Sequence, residues 1–193
     1  MYRDILLIDN FDSFTYNIVD QLRCTGNNVI IYRNNISINI ILSRLLKLKN
    51  PIILLSPGPG KPEHSGCMLH LLKLVIGKIP IIGICLGHQA IVQYYGGTIG
   101  YADKILHGKT SYIYHDQKAM FSNFSSPLLV ARYHSLICKN ISKKLIINAI
   151  SNNMVMAVRN DYDKVCGFQF HPESILTTYG FKLLNDTLNW LNN

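Results

Sequence analysis

Residues 80–97 read PIIGICLGHQAIVQYYGG, and this stretch decides the fold. The apolar run 80–84 has the length and branched content of a strand buried on both faces. Gly83-Ile84-Cys85-Leu86-Gly87 then forces a tight turn, and 87–95 carries a helical pattern closed by Gly96 and Gly97. Strand, turn and helix in that order form the repeating unit of an α/β domain.

Toward the N-terminus the same unit recurs. The run 3–9 (RDILLID) predicts a buried strand, with Asp12 or Ser13 capping a helix through Tyr16, Val19 and Leu22. Gly26 and Asn27 close that helix, and 29–32 predicts a second strand. A helix is expected over 38–48, a third buried strand over 51–55, a Gly/Pro-rich loop over 56–66 and a helix over 67–76. From about 98 to 170 the pattern changes to short strand-like pieces at 110–115, 128–133, 154–159 and 165–170. An amphipathic helix is predicted over 179–191, with Phe181, Leu184, Leu188 and Leu191 on one stripe. The expectation is one α/β domain over 1–193. Its central sheet is mainly parallel and flanked by helices, with extra antiparallel strands.

Composition narrows the class further. At 193 residues, 48% apolar and 16% charged, the chain can bury one substantial core and is too hydrophobic to be disordered. Its longest apolar stretches, such as 51–55 and 79–86, fall well short of the ~18–20 residues that span a bilayer. Met1-Tyr2-Arg3-Asp4 and the short run after it lack the pattern of a secretory signal, so a cytoplasmic location with no membrane partner is expected. The net charge of +8 reflects scarce acids, 11 against 19 Lys and Arg. The densest basic groups are Lys47/Lys49 and Lys143-Lys144, and without a basic stripe no nucleic-acid partner is expected. Isoleucine and asparagine are heavily used alongside lysine, the mark of a drift toward A/T-rich codons. Cysteines at 24, 67, 85, 138 and 166 are odd in number and widely spaced, so neither a disulfide framework nor a metal site is expected.

Three short segments could carry chemistry. Cys85 occupies the nucleophile position of a G-x-nucleophile-x-G elbow, where a helix N-terminus favours a thiolate. In GFQFHPES (167–174) an apolar strand delivers His171, a candidate base, and Glu173 two residues on can orient it. Ser56-Pro57-Gly58-Pro59-Gly60 ends the third predicted strand, where ligands bind open α/β sheets and glycine lets backbone N–H groups approach. Gln89 shares a helix face with Cys85 and could donate to a substrate, whereas His88 reads as structural. Arg132-Tyr133-His134-Ser135-Leu136 suits a pocket rim or a satisfied turn equally. The other four cysteines have no adjacent motif. These residues define a Cys-dependent acyl transfer or hydrolysis and leave the acyl donor open.

Six blocks in order carry a resemblance that names the donor. They are IDNFDSFT (8–15), SPGPG (56–60), GICLGHQ (83–89), His107-Gly108-Lys109, RYHSL (132–136) and GFQFHPESI (167–175). Together they resemble the class I glutamine amidotransferases, most closely the glutaminase subunits (component II) of anthranilate synthases. The resemblance implies a flavodoxin-like core and L-glutamine as substrate. It implies Cys85 as nucleophile, His171 as base and Glu173 as its partner. Gly58 and Leu86 N–H would form the oxyanion hole, and Pro59, Gly60, Gln89, Ser135 and Leu136 would surround glutamine. It further implies a hetero-oligomer with the synthase subunit (component I), which would convert chorismate and ammonia to anthranilate for tryptophan synthesis. No cofactor is expected in this chain, and Mg2+ only in the partner. The matching subunit of aminodeoxychorismate synthase is the nearest alternative; Gly60 and the stretch 154–178 favour the anthranilate branch. A catalytically silent stabilising subunit is a further alternative, against which the intact Cys85, His171 and Glu173 argue.

Overall fold

In the computed structural model the chain is described over residues 3–102 and 108–192. His107, together with Met1 and Tyr2, lies outside the described residues. The N-terminal part alternates strictly between strand and helix: β1 (Asp4–Asp9), α1 (Thr15–Cys24), β2 (Asn28–Arg33), α2 (Ile38–Leu45), β3 (Ile52–Leu55), α3 (Met68–Val75), β4 (Ile81–Ile84) and α4 (Leu86–Tyr94). Seven strands and a helix follow: β5 (Thr98–Tyr101), β6 (Lys109–His115), β7 (Leu128–Arg132), β8 (Leu136–Asn140), β9 (Ile146–Ser151), β10 (Met154–Asn160), β11 (Val165–Phe168) and α5 (Gly180–Asn192).

Nine strands form one sheet in the order β2-β1-β3-β4-β11-β10-β9-β6-β7, and β5 pairs with β8 apart from it. The first five are parallel, with β11 in register beside β4. The rest are antiparallel. Alternation along β1 shows why the parallel strands read as unbroken apolar runs. Ile5 and Leu7 join the core on the face covered by α1 and α5, while Leu6 and Ile8 join the core beneath α2, α3 and α4. Each such side chain, fully buried, contributes about 1.5–3 kcal/mol.

Several expectations need correction. Neither Asp12 nor Ser13 caps α1, whose N-cap is Phe14. The carboxylates organise the turn before it instead. Asp9 Oδ1 accepts from Thr15 Oγ1 at 2.9 Å and from the Phe11 N–H at 3.0 Å, and Asp12 Oδ1 accepts from the Phe14 N–H at 2.8 Å. On α5 the buried leucines are Leu183, Leu184, Leu188 and Leu191, and Phe181 on the first turn stays half exposed. β5, β8 and β9 are strands the sequence reading did not find. Among the described residues no helix is long and apolar enough to cross a membrane.

Candidate active site

The elbow after β4 is a strained joint. Cys85 has φ +50° and ψ −100°, a conformation that costs a residue with a Cβ on the order of 1–3 kcal/mol. The surroundings hold it there: the Cys85 N–H donates to the Phe168 carbonyl of β11 at 2.7 Å, and its carbonyl accepts from Gln89 N–H at 3.0 Å. Gly87 is required by close approach, since a Cβ there would lie 2.4 Å from the Leu55 carbonyl oxygen.

The glycine loop after β3 is positioned by side chains from three strand ends. Asn10 Nδ2 donates to the Ser56 carbonyl and the Asn10 N–H to Ser56 Oγ, both at 2.8 Å, and Asn34 Nδ2 donates to Asn10 Oδ1 at 3.0 Å. Gly58 then packs so tightly over Asn10 that a Cβ would lie 2.4 Å from the Asn10 Cβ. Among the described residues the Gly58 and Leu86 N–H groups donate to no carbonyl or side chain, and Leu86 opens α4, where intrahelical acceptors are lacking. Two unpaired N–H groups beside a sulfur can receive a developing oxyanion.

His171 comes from the turn after β11. The turn is clamped to β7 by the His171 N–H to the Ala131 carbonyl (3.0 Å) and by the Ala131 N–H to Thr177 Oγ1 (3.0 Å), whose hydroxyl in turn donates to the His171 carbonyl (2.7 Å). Nδ1 lies 2.6 Å from Glu173 Oε1, with both side chains buried. Nε2 makes no bond of good geometry, yet the Cys85 side chain is close enough to stabilise its proton. Burial opposes the imidazolium, but Cys85 and Glu173 outweigh it and hold His171 well above its ordinary pKa.

Cys85 stands between two cavities. One, of about 170 Å³, is lined by Gly58, Pro59, Gly60, Cys85, Gln89, Tyr133, His134, Ser135 and Leu136. The other, of about 370 Å³, is shared by Cys85 and His171 and walled by Phe11–Phe14, Pro57–Pro59 and Tyr133. The first collects the residues expected to surround the substrate. Leu86 is the exception and does not line it.

These observations join the Cys85 thiol, an imidazole paired with a carboxylate, free N–H donors and a cavity on one doubly wound sheet. The family model for class I glutamine amidotransferases matches residues 6–190. The chain belongs to the class I glutamine amidotransferases. Among its relatives is anthranilate synthase component 2 of Buchnera aphidicola subsp. Schizaphis graminum, 62% identical over 187 residues, covering 97% of this chain and 95% of that one. The protein of the same name from Buchnera aphidicola subsp. Acyrthosiphon pisum is 60% identical, covering 97% and 94%. The solved structure of a glutamine amidotransferase from Thermotoga maritima superposes with a TM-score of 0.80 at 14% identity. It covers 100% of each chain and supports the fold alone.

The amidotransferase corrects one expectation about Gln89. Its Nε2 donates to the Leu136 carbonyl and to Gln169 Oε1, each at 3.1 Å, so both amide hydrogens are engaged within the protein. Oε1 is what remains for a ligand. Sequence reasoning also missed how the pocket wall is held. Arg132 is fully buried and donates from Nε to His134 Nε2 at 3.1 Å, which leaves His134 Nδ1–H to donate to the Leu136 carbonyl at 3.0 Å. Burial, and then the Arg132 charge, push His134 down to about 3, so it stays neutral. His88 is the structural residue expected: burial lowers it to about 3, and its Nε2 lies 3.3 Å from Cys138 Sγ. Burial pushes the Cys138 and Cys166 thiols up, which makes them unreactive. Tyr133 and His134 line the first cavity from within RYHSL, which is therefore a pocket rim.

Proposed function

We propose that this chain is the glutamine-hydrolysing subunit of an anthranilate synthase. One observation carries the catalytic reading: Cys85 borders both cavities, whereas His171 borders only the second. The head of L-glutamine occupies the first cavity, its amino group toward Gln89 Oε1 and its chain against Ser135, Leu136, Pro59 and Gly60. The Cys85 thiolate attacks the side-chain amide carbon, and the Gly58 and Leu86 N–H groups take up the oxyanion. One such donor is typically worth ~3 kcal/mol in the barrier. His171 passes its proton to the departing nitrogen, and Glu173 holds the imidazole in place. Ammonia leaves on the His171 side and a thioester remains. Water then gives its proton to His171 and its oxygen to the acyl carbon, releasing glutamate and the thiolate.

With bound glutamine filling the first cavity, ammonia has the second as its way out, toward the synthase subunit (component I) that aminates chorismate. The names of the relatives support that partner. The chemistry asks for no cofactor in this chain, and the setting is cytoplasmic. Cys85→Ala tests the reading: glutamine-dependent anthranilate formation by the complex should vanish while synthesis from free ammonia persists. Retained glutamine turnover would refute Cys85 as nucleophile. Mixing the chain with each of the two chorismate-using synthase subunits decides between anthranilate and aminodeoxychorismate.

A further inference from the structure

Gln169 has no part in the mechanism above, yet its side-chain amide lies 3.8 Å from the Cys85 sulfur. It follows β11 directly and is fully buried, and its backbone N–H is fixed to the Met156 carbonyl at 2.9 Å. Period-two alternation puts 167, 169 and 171 on one side of the strand. Gly167 lies under His88, Gln169 Nε2 stands 3.8 Å from Cys85 Sγ, and His171 borders the cavity shared with Cys85.

The orientation of that amide follows from its neighbours. The Leu136 carbonyl can only accept, so Gln89 must present its NH2 there. The same Nε2 meets Gln169, which must therefore offer Oε1 to it. That leaves Gln169 one way to face Cys85, with its NH2 toward the sulfur. An amide N–H is a poor match for a neutral thiol and a much better one for a thiolate, because bonds to charged acceptors are about twice as strong.

We propose that Gln169 is a fourth catalytic residue, whose amide steadies the Cys85 sulfur as a thiolate and ties it to the Gln89–Leu136 wall of the substrate cavity. The inference rests on the reading of Cys85 as nucleophile. The bond is available when the sulfur is charged, before attack and again as the sulfur departs from the hydrolysed thioester. A thioester sulfur is a weak acceptor, so the same amide favours release of the acyl group. The relay also connects the cavity wall at Leu136 to the reacting atom through two hydrogen bonds.

The test follows alkylation of Cys85 by iodoacetamide across pH, read by peptide mass mapping so that Cys24 and Cys67 do not interfere. Other titratable groups around the sulfur are His171 with Glu173 on the turn after β11, Tyr133 and His134 on the cavity rim, and Cys138 with His88 behind it; all are retained. Gln169→Glu keeps the shape and the acceptor for Gln89 but removes the donor and adds a like charge. Gln169→Met removes the donor without the charge. At pH 7 the Met variant should alkylate about tenfold more slowly and the Glu variant more slowly still, both profiles moving to the alkaline side. Glutamine turnover in the complex should fall about tenfold in kcat with KM little changed, and synthesis from free ammonia should be intact. Profiles superimposing on the wild type, or a loss confined to KM, would overturn the role. If Gln169→Met does not fold, Gln169→Glu alone decides. Failure of the underlying reading is separate: Cys85→Ala would then keep its glutamine turnover, whatever the alkylation profiles show.

Discussion

The parallel and antiparallel parts of the sheet are built on different physical terms. In β3 and β4 every residue is buried, and the core lies on both faces. β6 and β9 instead leave Tyr112, Tyr114, Ile146, Ile147 and Ile150 on the surface. There, polar contacts do more of the holding. Arg159 pairs with Asp116 at 2.7 Å and with Asp161 at 2.9 Å, and Arg132 is buried with no carboxylate partner among the described residues. The chemistry sits on the seam. β11 pairs in parallel with β4 and antiparallel with β10, so Cys85 comes from one part and His171 follows the strand that joins the two.

The largest test of this contrast uses glycines. Gly87→Ala should cost about 3 kcal/mol and remove measurable glutamine turnover, because the new Cβ meets the β3 backbone. Gly100→Ala in β5, on the separate antiparallel pair with β8, meets only the Lys139 side chain, at 3.0 Å, and should change stability by less than about 0.5 kcal/mol. Calorimetry and a glutaminase assay read both, and equal losses would break the comparison.

Next come the buried histidines, one in each part. His88 on α4 and His134 after β7 are both held to about 3 against 6.5 when exposed. Below pH 6.5 the unfolded chain takes up protons that the folded chain refuses. Their contribution is therefore full above 6.5 and is lost toward pH 3, by about 1.4 kcal/mol per pH unit for each. Urea titrations at pH 7, 6 and 5 should show His88→Gln and His134→Gln each flattening that slope. His171 acts in the opposite sense. Its raised pKa gives stability that is complete below 6.5 and lost as the medium turns alkaline. The smallest effect is expected at Tyr114 and Ile150, neighbours across β6 and β9 and both exposed. Tyr114→Ser or Ile150→Thr should shift the denaturation midpoint by about 0.5 kcal/mol or less and leave kcat unchanged.

The same contrast governs what could be read from the sequence. Runs 3–9, 51–55 and 80–84 were legible because burial on both faces leaves no room for polar residues. β9 was not, since it exposes Ile146 and Ile147 while burying Asn148, and register shifts against β10 break its alternation. Cys85, His171, Glu173 and the glycine loop were legible because each lies in a short local block whose geometry follows from its neighbours. Gln169 and the buried Arg132–His134 pair were not. The direction an amide or imidazole faces is set by acceptors on strands far away in sequence, such as the Leu136 carbonyl 47 residues from Gln89.

The place of β11 has a consequence for when the enzyme comes into being. The last strand in chain order is inserted in the middle of the sheet, between β4 and β10, rather than added at its rim. Until residues 165–171 have emerged and docked, β4 is a bare edge, the Cys85 N–H has no Phe168 carbonyl to hold it, and His171 is absent. By the proposed mechanism, a chain that stops before residue 171 lacks its base even though its nucleophile was made early. On that reading, hydrolysis of glutamine reports that β11 has docked, and a half-made chain spares its substrate.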